Sequence, residues 1–156
     1  GVSRPALTEM GDFDTVDLHP NRRENMERRA LFAAGARAVA DRLRLSPGII
    51  SGDHVFLTGM TGSSPDGTMP TNLEDQFRQA FEKIGAVLGE AGLGFDSIVE
   101  MTSYHIGLRE HFDRFCAVRS AYVVDPFPAW TAVEVAGLRR EGAVVEIRVV
   151  AARSTG

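Results

Sequence analysis

The stretch AVVEIRVVA, residues 143–151, alternates in the manner of a half-buried β-strand. Its odd-numbered positions form one fully apolar face: Val145, Ile147, Val149 and Ala151. Its even-numbered positions form a face that is only partly polar: Val144, Glu146, Arg148 and Val150. We therefore predict that helices cover the first face, and that a second subunit covers the other, because a half-apolar sheet face is rarely left in water.

The chain before this strand alternates between strand and helix patterns. We predict two strands around the Gly52-Asp53 turn, a helix ending near Ala91, a strand over residues 98–106 and a third helix over 109–124. Strands over 130–136 and 143–152 follow. The order ββαβαββ is typical of an α+β sandwich, with two helices on one face of the sheet.

The N-terminal region differs from the rest. Residues 1–20 are acidic and lack a periodic pattern, which predicts an extended arm. Residues 21–44 contain no proline and place Phe32, Ala36, Val39 and Leu43 on one stripe, which predicts an additional helix. This helix is locally basic, and a solvated helix face is favoured over an RNA or anion site. Residues 45–156 then form the main globular domain.

Composition limits the classes of function. A chain of 156 residues with 44% hydrophobic and 24% charged residues suits one globular domain. The formal net charge of −4 disfavours a general nucleic-acid binder. No run approaches the length of a membrane helix, and the N-terminus does not resemble a secretory signal. The single cysteine excludes an intramolecular disulfide and favours a cytoplasmic location.

Several familiar motifs are absent from the sequence. There is no Walker loop, no GxGxxG, no GxSxG and no HExxH, so we expect no cofactor and no metal. Cys116 falls among the apolar positions of a predicted helix, which favours a buried, inert thiol over a catalytic one.

Glu146 and Trp130 are the candidate site residues that the strand patterns indicate. A carboxylate on a subunit-facing strand either forms a structural pair, with Arg148 for example, or orients a water molecule, and the pattern alone favours the pair. Trp130 is the only tryptophan. It is either a core residue or the wall of a site, and we predict that it shares the face of Glu146.

Five stretches together resemble the RidA/YjgF family in their order and spacing: VFLTGMTG, EDQFRQAFEKIGAVLGEAG, IVEMTSYHI, FPAWTAVEVAGL and VVEIRVVAARS. The resemblance covers about residues 45–153. It implies a chorismate-mutase-like α+β fold with a mixed sheet, assembled as a homotrimer with ligand clefts between subunits. It also implies hydrolysis of reactive imines and enamines to keto acids and ammonia.

The resemblance implies site residues where this chain matches the family's pattern, and it also shows where the chain departs from that pattern. Glu146 corresponds to the glutamate that positions water, and Gly59, after Thr58, corresponds to the backbone glycine. Leu45 stands where the family has a tyrosine. Trp130 stands where it has the substrate-clamping arginine, followed by Thr131 and by Ala132 in place of a small residue or cysteine.

Loss of a bidentate arginine removes the strongest contact that a carboxylate substrate could make. Two functions therefore remain open: an imine or enamine hydrolase with an altered substrate range, or a non-catalytic trimer that binds a small metabolite. Endoribonuclease activity is the weakest alternative, because the chain is acidic and lacks an array of aromatic and basic residues.

Overall fold

A computed structural model describes residues 28–154. The strands are β1 (Arg28–Leu31), β2 (Gly48–Ser51), β3 (His54–Leu57), β4 (Met60–Thr61), β5 (Ile98–His105), β6 (Ala129–Glu134) and β7 (Val145–Ala152). The helices are α1 (Arg37–Leu43), α2 (Leu73–Glu90) and α3 (Leu108–Arg119), with a 3₁₀ turn at Phe95–Ser97.

All seven strands form one mixed sheet in the order β1-β2-β3-β7-β5-β6, and β4 also pairs with β7. Strand β7 is antiparallel to β3, β4 and β5, whereas β6 is parallel to β5. Helices α2 and α3 connect parallel strands, and they pack on the same face of the sheet. The α+β fold with two helices on one face is therefore as predicted.

The core lies between this sheet face and the two helices. The four odd-numbered positions of β7 are at most 1% exposed, as their alternation predicted. They pack against the apolar stripe of α2, which includes Phe77, Phe81, Ile84 and Leu88. Helix α2 begins where the Asn72 side chain accepts a hydrogen bond from the Asp75 backbone N–H.

The predicted helix over residues 21–44 is wrong within the described part of the chain. Residues Arg28–Leu31 form strand β1, which pairs antiparallel with β2 along the edge of the sheet. Only Arg37–Leu43 is helical, after a turn in which Gly35 has a φ of 79°. Pairing with β2 satisfies backbone groups of both strands and buries Leu31 in the core, which outweighs local helix propensity. Residues 21–27 and the predicted arm lie outside the described residues.

The predicted face of Trp130 is also wrong. Strand β5 lies between β6 and β7, so the face of Trp130 is set by the pairing of β6 with β5. In the parallel pairing of β5 with β6, Trp130 is opposite Met101, which is fully buried under the helices. Trp130, Ala132 and Glu134 therefore point towards the helices. The Glu134 carboxylate accepts hydrogen bonds from the backbone N–H groups of Gly107 and Leu108, at the start of α3.

Among residues 28–154, no helix has both the length and the apolar character needed to cross a membrane.

Candidate functional site

Two of the predicted site residues, Gly59 and Glu146, lie close together. Glu146 is half-buried on β7, opposite Thr61 of β4 and Tyr104 of β5. Gly59 lies in the short link between β3 and β4. A Cβ atom on Gly59 would lie 2.9 Å from the carboxyl carbon of Glu146 and 3.0 Å from its Oε2. The backbone at position 59 thus closes directly on the carboxylate, and only glycine leaves the carboxylate in this place.

Thr58 holds this link in position. Its hydroxyl donates a hydrogen bond of 2.7 Å to the backbone carbonyl of Ser46, and its backbone N–H donates one of 2.9 Å to the carbonyl of Pro47. Both bonds tie the link to the segment before β2. The Thr58 side chain is therefore engaged in fixing the position of Gly59, and its predicted role as a ligand-binding residue remains a prediction.

Lys83, the only lysine of the chain, lies on α2 and reaches the loop that follows β4. Its Nζ donates a 3.0 Å hydrogen bond to the Ser63 hydroxyl, which also accepts a 3.3 Å bond from the Thr61 hydroxyl. Burial lowers the pKa of Lys83 to about 8, Arg140 lowers it too, and the Glu146 carboxylate acts in the opposite direction. A lysine with this pKa can give up or take a proton near neutral pH.

We call Gly59, Thr61, Ser63, Lys83 and Glu146 the Glu146 edge. Its carboxylate forms no ion pair within the part of the chain that the structure describes. The predicted structural pair with Arg148 is therefore not formed there. The Glu146 edge instead combines a half-buried carboxylate, which can accept a hydrogen bond from water, with a partly desolvated amine on which the charge of this carboxylate acts. This combination can support proton transfer to and from a bound molecule.

Gln76 of α2 supports the Glu146 edge from beneath. This buried side chain donates to the carbonyls of Pro70 and Gly142 and accepts from the backbone N–H of Val144. It thereby joins the loop after β4 to the turn before β7. Gly62 packs so closely on Gln76 that a Cβ atom there would overlap the helix backbone. Gln76 thus attaches to α2 both the loop and the turn that flank the Glu146 edge.

Within one chain, Trp130, Thr131 and Ala132 do not lie level with Glu146 on its face of the sheet. Trp130 and Ala132 lie on the helix-covered face, where Ala132 is opposite Ser103. Thr131 shares the open face with Glu146, but it is level with Thr102 and Arg148 on the neighbouring strands. Leu45 is 38% exposed in the segment that follows α1. Only Gly59 and Glu146 are brought into direct contact.

Ser103, His105, His111 and Trp130 form a second polar group under the helices, which we call the histidine network. The Trp130 Nε1 donates to the Ser103 hydroxyl at 2.8 Å, and this hydroxyl is 2.8 Å from His105 Nε2. His105 Nδ1 is 2.9 Å from His111 Nε2. Burial lowers the pKa of His105 to about 4 and lowers that of His111, so both imidazoles are neutral at pH 7.

Neither Lys83 nor the histidine network was predicted from the sequence. Lys83 carried one usable signal, since it is the only lysine among 17 basic residues. The two histidines carried no such signal, because His105 lies on β5 and His111 on α3, and their separation of six residues is typical of neither a helix face nor a strand face. Cys116 is only partly buried, so its predicted burial is wrong, but desolvation raises the pKa of the thiol, which agrees with the predicted lack of reactivity. Among residues 28–154, no group of three His, Cys, Asp or Glu side chains could hold a metal ion.

A sequence model of the family described as Endoribonuclease L-PSP matches residues 35–153. The chain belongs to this family, the RidA/YjgF family. The match starts ten residues earlier than the expected boundary at residue 45, so part of the segment predicted as an additional helix lies inside the family's own fold.

Relatives and solved structures agree with this membership of the RidA/YjgF family. The RutC family protein YjgH of Escherichia coli K12 is 38% identical over 127 residues, which cover 81% of this chain and 95% of that protein. A solved structure of protein YjgH has a TM-score of 0.75 at 36% identity and covers 84% of this chain and 100% of its own. The crystal structure of E. coli TdcF with bound serine has a TM-score of 0.63 at 28% identity, covering 70% and 86%. TdcF is provisionally named a reactive intermediate deaminase.

Proposed function

We propose that this RidA-family protein hydrolyses small imines or enamines to a carbonyl compound and ammonia, with Glu146 directing the attacking water. The contact between the Gly59 backbone and the Glu146 carboxylate is the observation that supports this proposal. The relationship to TdcF, a protein named for deamination and crystallised with serine, adds to it.

The reaction needs one water molecule and several proton transfers. The Glu146 carboxylate accepts a proton from water as the water oxygen bonds to the imine carbon, and an acid gives a proton to the imine nitrogen, which yields a carbinolamine. Glu146 then passes its proton to the same nitrogen and accepts the proton of the new hydroxyl group, so that the carbon–nitrogen bond breaks and the carbonyl compound and ammonia leave. Return of this last proton from Glu146 to the acid restores both groups. Lys83 is the candidate proton donor, since its pKa of about 8 suits this role and the charge of Glu146 acts on it.

Substrate range is the point at which we expect this protein to differ from the deaminases of its family. Trp130 stands where the resemblance implies an arginine, and its indole lies on the face of the sheet opposite to Glu146. A substrate at the Glu146 edge therefore has no guanidinium from position 130 to bind its carboxylate. We expect imines that need no bidentate clamp to be the preferred substrates.

Assembly into a homotrimer is part of the proposal. The sheet face without helices exposes 41% of Phe56, next to Ile49 and Val150 on the adjoining strands. A second copy of the chain would cover this apolar surface and enclose the Glu146 edge. A cytoplasmic location also stays a prediction, based on the single cysteine.

Ammonia release from imines generated by an amino acid oxidase tests the proposed reaction. We expect wild-type protein to accelerate release over the spontaneous rate, and Glu146→Gln to lose about 10²–10⁴-fold of that acceleration. Glu141→Gln, an exposed carboxylate in the turn before β7, is the matched control and should keep full activity. Equal acceleration by wild type and Glu146→Gln would refute the role of Glu146.

The alternative function is a trimer that binds a small metabolite without converting it. The position of Trp130 favours this alternative, because the chain lacks the arginine at the expected place. Wild-type protein that never exceeds the spontaneous rate, yet binds an imine's carbonyl product at the Glu146 edge, would support binding over catalysis.

A further inference from the structure

Two buried hydroxyl groups, those of Thr61 and Ser63, belong to the Glu146 edge, and each of these residues is only 7% exposed. The Lys83 Nζ is 3.0 Å from the Ser63 Oγ, and the Thr61 Oγ1 is 3.3 Å from the same oxygen. The Ser63 hydroxyl therefore contacts the only lysine of the chain on one side and a second hydroxyl on the other.

Thr61 extends this row of polar groups to the carboxylate. Strand β4 pairs with β7 so that Thr61 lies directly opposite Glu146. Residues opposite each other in an antiparallel pair project to the same face, with their Cβ atoms about 5 Å apart. Lys83 forms no ion pair within residues 28–154, and its hydrogen-bond partner there is Ser63. The amine and the carboxylate are thus connected through the two hydroxyls.

Hydroxyl groups are suited to pass a proton along such a row. Each one donates a single hydrogen bond and accepts others, and it can rotate to exchange the two directions. Burial strengthens hydrogen bonds of this kind and polarises neighbouring members of the row. The charges around the amine also matter, because Glu146 raises the pKa of Lys83 whereas burial and Arg140 lower it. The carboxylate and the amine are therefore electrostatically coupled as well.

We propose that Thr61 and Ser63 form a proton relay that returns the proton from Glu146 to Lys83 at the end of each turnover. This inference rests on the proposed hydrolysis. The Glu146 carboxyl group gives its proton to the Thr61 oxygen, while Thr61 gives its own proton to Ser63 and Ser63 gives its own to the amine. Three O–H bonds break, and two O–H bonds and one N–H bond form. The carboxylate and the ammonium group are restored, and both hydroxyls are unchanged.

Removal of either hydroxyl should slow imine hydrolysis without unfolding the protein. We expect Ser63→Ala to lower kcat about tenfold, less than the loss in Glu146→Gln, because solvent still returns protons to the buried amine slowly. Thr61→Val should have a similar effect, whereas Thr61→Ser keeps the hydroxyl and should retain most of the activity. Ser64→Ala is the matched control, since the Ser64 hydroxyl bonds to Gln79 of α2 at 3.1 Å and should not affect kcat.

Added imidazole distinguishes a relay from a purely structural role. Imidazole exchanges protons near neutral pH and can replace a missing relay from solution. Once the rate without protein is subtracted at each concentration, imidazole should raise kcat of Ser63→Ala and Thr61→Val towards the wild-type value. It should leave wild type and Glu146→Gln unchanged. A loss of activity caused by altered packing would not respond to imidazole.

The single lysine allows a measurement that does not need turnover. Protein labelled with ¹³C at lysine Cε gives one lysine signal, from Lys83, and its titration reports the pKa of this amine. Because the Glu146 charge raises that pKa, Glu146→Gln should lower it. An unchanged titration would show that the two groups are not coupled, and this result would overturn the relay.

The kinetic results also separate the relay from the proposed function. A wild type that does not accelerate ammonia release would overturn both. Wild-type kcat in Ser63→Ala, or a loss that imidazole does not restore, would overturn the relay alone, provided that Glu146→Gln is still inactive.

Discussion

The histidine network and the Glu146 edge use polar groups in opposite ways. In the histidine network, Ser103, His105, His111 and Trp130 bind one another in a continuous chain, and three of the four are almost fully buried. At the Glu146 edge, the carboxylate is half-exposed, and within residues 28–154 it forms no ion pair. A closed network of neutral groups stabilises a fold, whereas an accessible carboxylate beside a desolvated amine can act on a ligand.

This difference teaches that burial alone does not identify the site in this molecule. The most strongly perturbed histidine, His105, belongs to the network that serves packing. Lys83 has a perturbed pKa too, but the charge of a half-buried carboxylate, Glu146, acts on it. Perturbed pKa values therefore indicate function here only when the group also faces an accessible partner.

The largest expected effect is a loss of stability when the packing of Gly62 against α2, next to the Glu146 edge, is disturbed. In Gly62→Ala, the new methyl group would overlap the backbone of α2 at Gln76, which cannot move without shifting the helix. We expect a loss of about 3 kcal/mol in the free energy of unfolding, measured by urea denaturation. Gly89→Ala, on the same helix with open space around its Cβ position, is the control and should not lose stability. An unchanged stability of Gly62→Ala would show that the loop is not seated on α2 as described.

The second prediction tests whether the histidine network is held neutral. The pKa of His105 is about 4 in the folded protein and about 6.5 in an unfolded chain. Between these values only the unfolded chain binds the proton, so protonation favours unfolding. Stability should be fully present above about pH 6.5 and should decrease as the pH falls towards 4, with a loss of about 2 kcal/mol at about pH 5.

Two histidine variants show which group causes this pH dependence. His111→Gln removes one imidazole of the buried pair and should reduce the loss between about pH 7.5 and about pH 5. His54→Gln changes an exposed histidine on β3 and should leave it unaltered. The Glu134 carboxylate acts on both buried histidines and partly opposes the effect of burial. The same urea midpoint at both pH values would mean that the pair is already protonated or is hydrated.

The smallest expected effect separates activity from stability at the Glu146 edge. In Gly59→Ala, the new methyl group meets the flexible Glu146 side chain and not a backbone, so the carboxylate can turn away. We expect kcat for imine hydrolysis to fall about tenfold, equivalent to about 1.4 kcal/mol, while the melting temperature hardly changes. A Gly59→Ala variant with full activity would show that the observed placement of the carboxylate is not required.

The alternation of β7 determined much of this protein from the sequence alone. Val145, Ile147 and Val149 occupy every second position and are buried, and this alternation predicted both the strand and the face that the helices cover. The apolar stripe of α2 predicted the helix that packs on this face. The family resemblance indicated Gly59 and Glu146 as site residues, because both match its pattern, and the structure places them against each other. These features were predictable since they depend on local periodicity and on positions shared within a family.

Only the tertiary structure decided where Trp130, Arg119 and the N-terminal segment lie. The face of Trp130 depends on β6 pairing parallel with β5, and the alternation within a strand does not say which strand lies beside it. Strand β1 forms because its backbone pairs with β2 and because Leu31 enters the core. Local helix propensity includes neither contribution. Arg119 and Trp130 come from different elements, and only their packing placed the guanidinium, which forms no ion pair within residues 28–154, over the one indole of the chain.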